Sequence, residues 1–245
     1  MLRDLERLEE QAQATLDVIL HAQADIVLLL NVDWDHGGRG AQALRDALSK
    51  AGLDYPHIVA VRPTTGRPSG FDLDGNGALG EARDALGYGR FTGDGGMVLL
   101  SRVPLGVVDD RSDLLWSMRS IAPAEVLPEG ADTIVPLASV AQWIVPLRVG
   151  AADLTLITMN ANTPVFDGPE DRNGRRNADE LGYIAELADT LPNPIVLGRA
   201  NLDPLDGAGL RGAITALLTH PARQDQEGMG RHVEEPLVWM RASTS

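Results

Sequence analysis

A polar segment, Thr163–Asn177, constrains the fold of this chain more than any other part of its sequence. It reads TPVFDGPEDRNGRRN, with charges, glycines and prolines but no helical or strand period, which predicts a loop held by its own polar contacts. The preceding run, Asp153–Asn160, predicts a strand, and the following run, Ala178–Asp189, predicts a helix. Asn177 with Glu180 three residues later fits a capping box, which would start that helix at Ala178. A polar loop between a strand end and a helix start is a common position for an active site.

Apolar strands and amphipathic helices alternate early in the chain, and strands cluster in its middle. The predicted strands are Asp25–Asn31, His57–Val61, Met97–Arg102, Gln142–Val149, Leu154–Met159, Pro194–Gly198 and Leu237–Met240. The predicted helices are Leu2–Gln23, Ala41–Ala51, Ala178–Asp189 and Gly209–Leu218, and Arg62–Gly96 is a long glycine-rich excursion. This order predicts an α/β fold of two packed sheets flanked by helices, a four-layer α/β sandwich. A doubly wound Rossmann-like sheet is the alternative, but no GxGxxG follows the first strand.

The length and composition favour a single globular domain. The 245 residues contain no linker that would divide them, so residues 1–245 are expected to form one domain. Hydrophobic residues make up 44% of the chain, which is enough for a substantial core. No apolar run is long enough for a membrane helix, and the acidic N-terminus is unlike an export signal, so the expected location is cytoplasmic by default. The absence of cysteine excludes disulfides, thiolate metal sites and a cysteine nucleophile.

The net charge limits the kinds of partner that the chain can bind. At −14 the chain repels polyanions, whereas duplex-DNA binders usually present a basic face. Duplex DNA is therefore disfavoured, and a small phosphoester remains compatible with the charge.

Three stretches of the sequence carry a family resemblance. Thr163–Leu181, Gly198–Pro204 (GRANLDP) and Phe71–Ser101 resemble, in order and spacing, one branch of the endonuclease/exonuclease/phosphatase superfamily, the DNase I-like metal-dependent phosphoesterases. The resemblance extends from about Arg3 to about Asp225. It implies the same four-layer sandwich, with shortened ends: the family's first strand and part of its C-terminal segment are missing here.

The resemblance implies phosphoester hydrolysis with Mg²⁺ or Mn²⁺, and it assigns roles to particular positions. Asn31 occupies the place of a metal-binding glutamate, and Asn160 that of a phosphate-contacting histidine. Arg199 replaces an aspartate that binds metal or orients water, Asn201 is retained, and His232 matches the terminal histidine. An amide cannot carry a proton, and a guanidinium repels a dication. The first hypothesis is therefore a phosphoesterase-family protein whose catalysis is impaired or absent, a pseudoenzyme.

Two further hypotheses remain open, so whether the protein is an enzyme is undecided. In the second, hydrolysis persists with altered metal ligands, namely Asp33, Asp35 and Asp203, and Arg199 clamps the phosphate. In the third, the protein is a non-catalytic binding or assembly module that forms oligomers through unpaired sheet edges.

The polar segment itself supplies candidate functional side chains. They are Asp167, Glu170, Asp171, Arg172, Asn173, Arg175, Arg176 and Asn177. Arg172, Arg175, Arg176 and Arg199 could converge on a phosphate or carboxylate. Alternatively, the arginines pair with acids of their own segment and of the following helix (Asp167, Glu170, Asp171, Asp179 and Glu180), and the excess of acids favours this second arrangement.

A separate stretch resembles the first half of a calcium-binding loop. Asp72, Asp74 and Asn76 occupy the first three ligand positions, and Gly77 occupies the turn position. Arg83 stands where the final glutamate ligand of an EF-hand would be. A structural calcium site and a glycine-rich polar turn are the two interpretations.

Overall fold

The computed structural model describes residues 10–206, 208–219 and 237–240, and these residues build two four-stranded sheets. The strands are β1 (Ile26–Val32), β2 (His57–Val59), β3 (Gly96–Ser101), β4 (Asp109–Asp110), β5 (Gln142–Val149), β6 (Ala152–Asn160), β7 (Pro194–Arg199) and β8 (Leu237–Met240). The helices are α1 (Glu10–Ala22), α2 (Arg39–Lys50), α3 (Ala122–Val126), α4 (Arg172–Thr190) and α5 (Arg211–Leu218).

The two sheets differ in strand direction. In the first, β1 pairs antiparallel with β3 and β8, and β2 continues the order as β2-β3-β1-β8. In the second, β4, β5 and β6 are antiparallel neighbours, and β7 joins β6 in parallel. That parallel pair brings the carboxyl ends of β6 and β7 to the same edge of the sheet.

Three apolar clusters separate four layers. Residues alternate along β1: Leu28 belongs to the cluster between the sheets, and Val27 to the cluster that includes α1 and α2 residues. On the far side of the second sheet, Ile157 of β6 packs in one cluster with Leu181 of α4. Helices therefore cover the outer face of each sheet. The predicted four-layer α/β sandwich is confirmed.

The predicted start of α4 is wrong. The helix begins at Arg172, six residues before Ala178, and Asp171 precedes it in the left-handed region at φ 54°. Asn177 and Glu180 therefore lie inside the helix and are buried, so they do not form a capping box. The loop after β6 is correspondingly shorter than the sequence pattern indicated.

The glycine-rich excursion between β2 and β3 crosses to the second sheet. The N–H of Thr64 donates to the carbonyl of Val140, just before β5, at 2.8 Å. The excursion contains a short 3₁₀ turn at Ala82–Asp84 but no longer helix. It thus places Thr65, Tyr88 and Asp94 near the strand ends of both sheets.

Candidate functional site

A cleft of about 320 Å³ lies where the ends of β1, β6 and β7 meet the excursion. Its lining residues are Asn31, Asp33, Thr65, Tyr88, Asp94, Gly95, Ser139, Val140, Asn160, Ala161, Asn162, Thr163, Arg199 and Asn201. Five residues singled out from the sequence, Asn31, Asp33, Asn160, Arg199 and Asn201, therefore come together here. His232 lies outside the described residues.

A β-bulge presents Asn31 to the cleft. The register between β1 and β3 shifts between Leu30 and Val32, and Asn31 takes the left-handed conformation at φ 58°. A bulge redirects a side chain, and asparagine tolerates this conformation better than most residues. Two residues further on, the carboxylate of Asp33 accepts a hydrogen bond from the N–H of Gly95 at 3.2 Å.

Asn160 and Arg199 face each other across the parallel strands. They are register partners at the ends of β6 and β7, and Arg199 Nε donates to Asn160 Oδ1 at 3.3 Å. Asn160 is 2% exposed, and its Nδ2 has no hydrogen-bond partner among the described residues. Burial lowers the pKa of Arg199, and no described carboxylate forms an ion pair with it. The pair therefore presents a poorly neutralised cation beside an unused donor.

Close strand packing fixes the position of this pair. Gly198 precedes Arg199 at φ 145°, and a Cβ there would lie 1.8 Å from the carbonyl oxygen of Met159. Only glycine fits such an approach without moving the backbone.

Asn201, the position that the resemblance implied to be retained, bonds to the backbone. Its Nδ2 donates to the carbonyl of Ala161 at 2.6 Å, and its φ is 55°. The amide thereby ties the segment after β7 to the segment after β6 and holds two walls of the cleft together.

Two of the three acids considered as alternative ligands do not line the cleft. The Asp35 carboxylate accepts N–H groups of Gly37, Arg39 and Gly40 at the start of α2, and the hydrogen bond from Gly40 is the main reason its pKa is lowered. Asp203 is exposed and accepts the N–H groups of Leu205 and Asp206, which lower its pKa. Both carboxylates stabilise their own turns.

The cleft offers a divalent metal ion few charged oxygen ligands. Asp33 and Asp94 line it, but Asp94 already accepts the N–H of Arg90 at 2.8 Å. In the described ranges, one group of three acidic or histidine side chains could share an ion, and it lies outside the cleft. The Arg199 guanidinium adds a positive charge where Mg²⁺ would need oxygen ligands.

Glu180 of α4 holds two residues of the cleft wall in place through buried hydrogen bonds, a role that the sequence pattern did not predict. Its carboxylate accepts the N–H and Oγ–H of Ser139 at 2.7 and 2.9 Å, and the N–H of Asn162 at 2.6 Å. Burial raises the pKa of Glu180, whereas the charge of Arg176 and these donors act in the opposite direction. Ser139 and Asn162 both line the cleft, so one buried carboxylate positions two of its walls.

Arg176 and Asn177 complete this buried support. The Arg176 guanidinium donates to the carbonyls of Pro136, Leu137 and Ala138, and burial lowers its pKa to about 10. Asn177 Nδ2 donates at 2.8 Å to the carbonyls of Asn162 and Ala200. A buried polar side chain that donates to distant carbonyls leaves no hydrophobic period in the sequence, which is why pattern analysis placed both residues at a loop end.

The remaining arginines of the polar segment do not converge with Arg199. Arg175 pairs with Glu125 of α3, and Arg172 donates to the carbonyl of Leu73. Of the alternative pairing with local acids, Arg176 interacts electrostatically with Glu180, whereas Arg175 and Arg172 bond outside the segment.

The acids of the segment bond mainly to backbone. The carboxylates of Asp167 and Glu170 accept the N–H groups of Asn173 and Gly168. Asn173 also contacts Asn162 through their side-chain amides at 3.1 Å. The segment is therefore held by local hydrogen bonds, and it reaches the cleft lining at Thr163.

The calcium-like loop forms an acidic turn beside α4. Asp72 accepts the N–H groups of Asn76 and Gly77, and the carboxylates of Asp72, Asp74 and Asp84 offer oxygen atoms within 4.8 Å of one another. Asn76 itself donates to Glu81 and Asp74. A calcium ion at this turn stays a prediction.

Comparison with known proteins identifies the lineage. The sequence model of the Endonuclease/Exonuclease/phosphatase family matches residues 2–242. No curated protein sequence matches the chain. No helix in the described part of the chain is long and apolar enough to cross a membrane.

Several solved structures are similar to this chain at low identity. Sphingomyelinase C from Streptomyces griseocarneus is 16% identical with a TM-score of 0.47, over 86% of this chain and 61% of that one. TDP2 from D. rerio, complexed with a single-strand DNA product, is 12% identical with a TM-score of 0.43, over 86% and 58%. A beta toxin mutant from Staphylococcus aureus with bound magnesium ions is 13% identical with a TM-score of 0.44, over 79% and 56%. The chain thus spans about three fifths of the length of these proteins.

Proposed function

We propose that this protein, which belongs to the Endonuclease/Exonuclease/phosphatase family, lacks the metal-dependent hydrolysis that its family performs and retains a cleft for a small phosphoester. The observation that carries the proposal is the half-buried Arg199 guanidinium in the cleft, which has no ion-pair partner among the described carboxylates.

Electrostatics supports the loss of the metal. At about 4 Å and an effective dielectric constant near 20, two unit charges interact by about 4 kcal/mol, so a dication and a guanidinium would repel by roughly 8 kcal/mol. The amide of Asn31 supplies no charge to offset this repulsion, so the offset depends on Asp33 and Asp94, and Asp94 also accepts the N–H of Arg90. Mg²⁺ or Mn²⁺ should therefore bind this cleft more weakly than it would with an acid in place of Arg199.

Two of the implied catalytic positions also cannot transfer a proton. Asn160 and Asn201 offer amides, which can orient a phosphate but cannot accept or deliver a proton at neutral pH. Essential catalytic groups act as a unit, so the loss of one already removes most of the rate enhancement.

The alternative of an active hydrolase with altered ligands receives less support. Of its three proposed carboxylates, Asp33 lines the cleft, whereas Asp35 and Asp203 accept backbone N–H groups of their own turns. A small ligand is favoured over duplex DNA because the net charge is −14.

The test is release of nitrophenol from mono- and bis-nitrophenyl phosphate with Mg²⁺, with Mn²⁺ and with a chelator. We expect no metal-dependent release above the level of an Asn201→Ala variant. Metal-dependent turnover in the unmodified protein that disappears in Asn201→Ala would refute the proposal and support the active hydrolase.

A further inference from the structure

Two Asn-Gly pairs occur in this sequence, Asn76–Gly77 and Asn173–Gly174. In such a pair the backbone nitrogen of the glycine can attack the side-chain carbonyl carbon of the asparagine, because glycine has no Cβ to obstruct the approach. The attack closes a five-membered ring within one chain, so its rate depends on how the fold holds the two groups. Both pairs have the same sequence, but the structure holds them differently.

The first pair lies on an exposed turn of the glycine-rich excursion, outside any helix or strand. The N–H of Ala78 donates to Asn76 Oδ1 at 2.7 Å, an Asx turn that folds the side-chain carbonyl back toward the backbone of Gly77. A hydrogen bond to this oxygen also stabilises the negative charge that develops there when the carbonyl carbon is attacked. The side-chain carbonyl of Asn76 is therefore both placed and activated for attack.

Carboxylates hold the attacking nitrogen and the leaving group. The N–H of Gly77 donates to Asp72 Oδ2 at 2.8 Å, and a carboxylate in this position can accept the proton of the attacking nitrogen. The nitrogen that leaves, Asn76 Nδ2, donates to Glu81 Oε2 at 2.6 Å and to Asp74 Oδ2 at 3.3 Å. The proton acceptor, the attacked carbonyl and the leaving group thus belong to one turn.

The second pair lacks this arrangement, because Asn173 and Gly174 lie in the first turn of α4. In a helix the side chain leans toward the N-terminus, away from the nitrogen of the next residue. The amide of Asn173 is also fixed at both ends: Nδ2 donates to the carbonyl of Val165 at 2.9 Å, and Oδ1 accepts from Asn162 Nδ2 at 3.1 Å. Ring closure here would have to break both hydrogen bonds and unwind the start of the helix.

We propose that Asn76 is a site of spontaneous deamidation that the fold promotes, whereas the fold protects Asn173. A bond forms between Gly77 N and Asn76 Cγ, Asp72 takes up the proton of Gly77 N, and Nδ2 gains that proton through solvent and leaves as ammonia. Solvent water then opens the cyclic imide at one of its two carbonyls, which gives aspartate or isoaspartate at position 76. The net reaction consumes water, releases ammonia and needs no oxidant or reductant.

The modification changes the charge of the turn. It replaces an amide that donates hydrogen bonds to Asp74 and Glu81 with a carboxylate that repels both of them. The turn therefore gains a negative charge and loses two hydrogen bonds as the protein ages.

The experiment incubates the unmodified protein at mildly alkaline pH and follows both pairs by mass spectrometry of proteolytic peptides. A second sample in guanidinium chloride gives the rate of each pair without structure. In the folded protein we expect Asn76 to convert at least as fast as in denaturant, and Asn173 at least about tenfold more slowly than in denaturant. Asn76→Asp is the standard for the aspartate product in ion-exchange chromatography, because it carries the same additional charge.

Two variants test the parts of the reaction. Gly77→Ala adds a Cβ beside the attacking nitrogen and should slow the conversion at least about tenfold. Asp72→Asn removes the carboxylate that accepts the Gly77 N–H and should slow the conversion severalfold. Asp46→Asn is the matched control, because it removes a carboxylate from the exposed face of α2 and should leave the rate unchanged. If Gly77→Ala is not folded by circular dichroism, Asp72→Asn and the comparison with Asn173 carry the test.

The outcomes separate promotion by the turn from protection by it. Conversion of Asn76 that is slower in the folded protein than in denaturant, or that is not slowed in Asp72→Asn, overturns the proposal. Equal rates at Asn76 and Asn173 in the folded protein also overturn it. Faster conversion at Asn76 than at Asn173 that depends on Asp72 supports it.

Discussion

At the scale of single residues, we propose that the cleft departs from its family through side chains while the backbone that presents them is kept. Asn31, Asn160 and Arg199 occupy strand ends that converge as the family resemblance implies, yet none is an acid or a histidine. The chemistry of these three side chains could be predicted from the sequence, because each of them stands in a recognisable motif. The unpaired donor of Asn160 was not readable, because pairing depends on neighbours from distant segments.

Restoring the family acids should restore metal binding. We expect the double variant Asn31→Glu with Arg199→Asp to bind Mn²⁺ at least about tenfold more tightly than the unmodified protein, because it replaces one repulsive charge and adds two oxygen ligands. Electron paramagnetic resonance of Mn²⁺ measures the free ion directly. Asp35→Glu changes a carboxylate that caps α2 and is the control. Equal Mn²⁺ affinity in the double variant and the unmodified protein would contradict the electrostatic account.

Removing the buried carboxylate behind the cleft should destabilise the protein strongly. Glu180→Ala leaves Ser139 and Asn162 without their acceptor and removes a negative charge that favours the buried Arg176 cation. Buried donors without an acceptor and a buried cation without compensation cost about 3–5 kcal/mol of the free energy of unfolding. Urea denaturation measures the change.

The matched control for that variant lies on the same helix. Glu186→Ala removes an exposed carboxylate that pairs with Arg119, which should cost less than about 1 kcal/mol. A loss in Glu180→Ala no larger than the loss in Glu186→Ala would show that the buried network does not stabilise the fold.

At the scale of elements, strands were predicted more accurately than helix ends. The observed ranges of β1 and β5 match the predicted ranges within one residue. Each strand buries both faces or one full face, so its sequence is a continuous apolar run that is easy to recognise. The start of α4 was missed for a physical reason. Its first turns bury Arg176 and Asn177, whose side chains donate to distant carbonyls, so no apolar period marks this stretch as helical.

The start of α2 depends on one carboxylate. Asp35 accepts the N–H groups of Arg39 and Gly40, the first two residues of that helix. Asp35→Ala should cost about 0.5–2 kcal/mol of the free energy of unfolding, as for other helix caps. Asp46→Ala on the exposed face of α2 should cost less than about 0.5 kcal/mol.

The same carboxylate gives a pH dependence with a definite sign. The pKa of Asp35 in the folded protein is lowered below its usual 3.8, so the unfolded chain binds a proton more readily than the folded one. The stability that Asp35 contributes is present above pH 3.8 and is lost as the pH falls through the lowered pKa. Thermal unfolding should therefore show a smaller difference in melting temperature between Asp35→Ala and the unmodified protein at pH 3 than at pH 6. A difference in melting temperature that stays constant from pH 6 to pH 3 would contradict this contribution of Asp35.

At the scale of the whole molecule, the four-layer arrangement followed from the order of elements, because each sheet must cover both faces. Association between molecules is a separate question. Among the described strands, β7 ends the second sheet, so its outer backbone groups are available to another strand.

We expect association through this edge to be concentration-dependent. Light scattering at increasing protein concentration should show a dimer that is reduced by Val196→Pro, since proline removes a backbone N–H from the edge strand. Ile214→Val in α5 trims a side chain of the apolar cluster that Val196 packs against and removes no backbone N–H, so it serves as a control for general loss of packing. A monomer at every concentration tested would remove the assembly hypothesis.

The parallel pairing of Asn160 with Arg199 has an evolutionary implication. Because the two residues are register partners on neighbouring strands, and Gly198 allows the close approach of those strands, we expect an exchange of either amino acid to leave the strand pairing unchanged. Proteins with this strand pairing can change which ions they bind through single amino-acid substitutions, while the backbone stays the same. Selectivity in this protein is accordingly expected to drift faster than architecture.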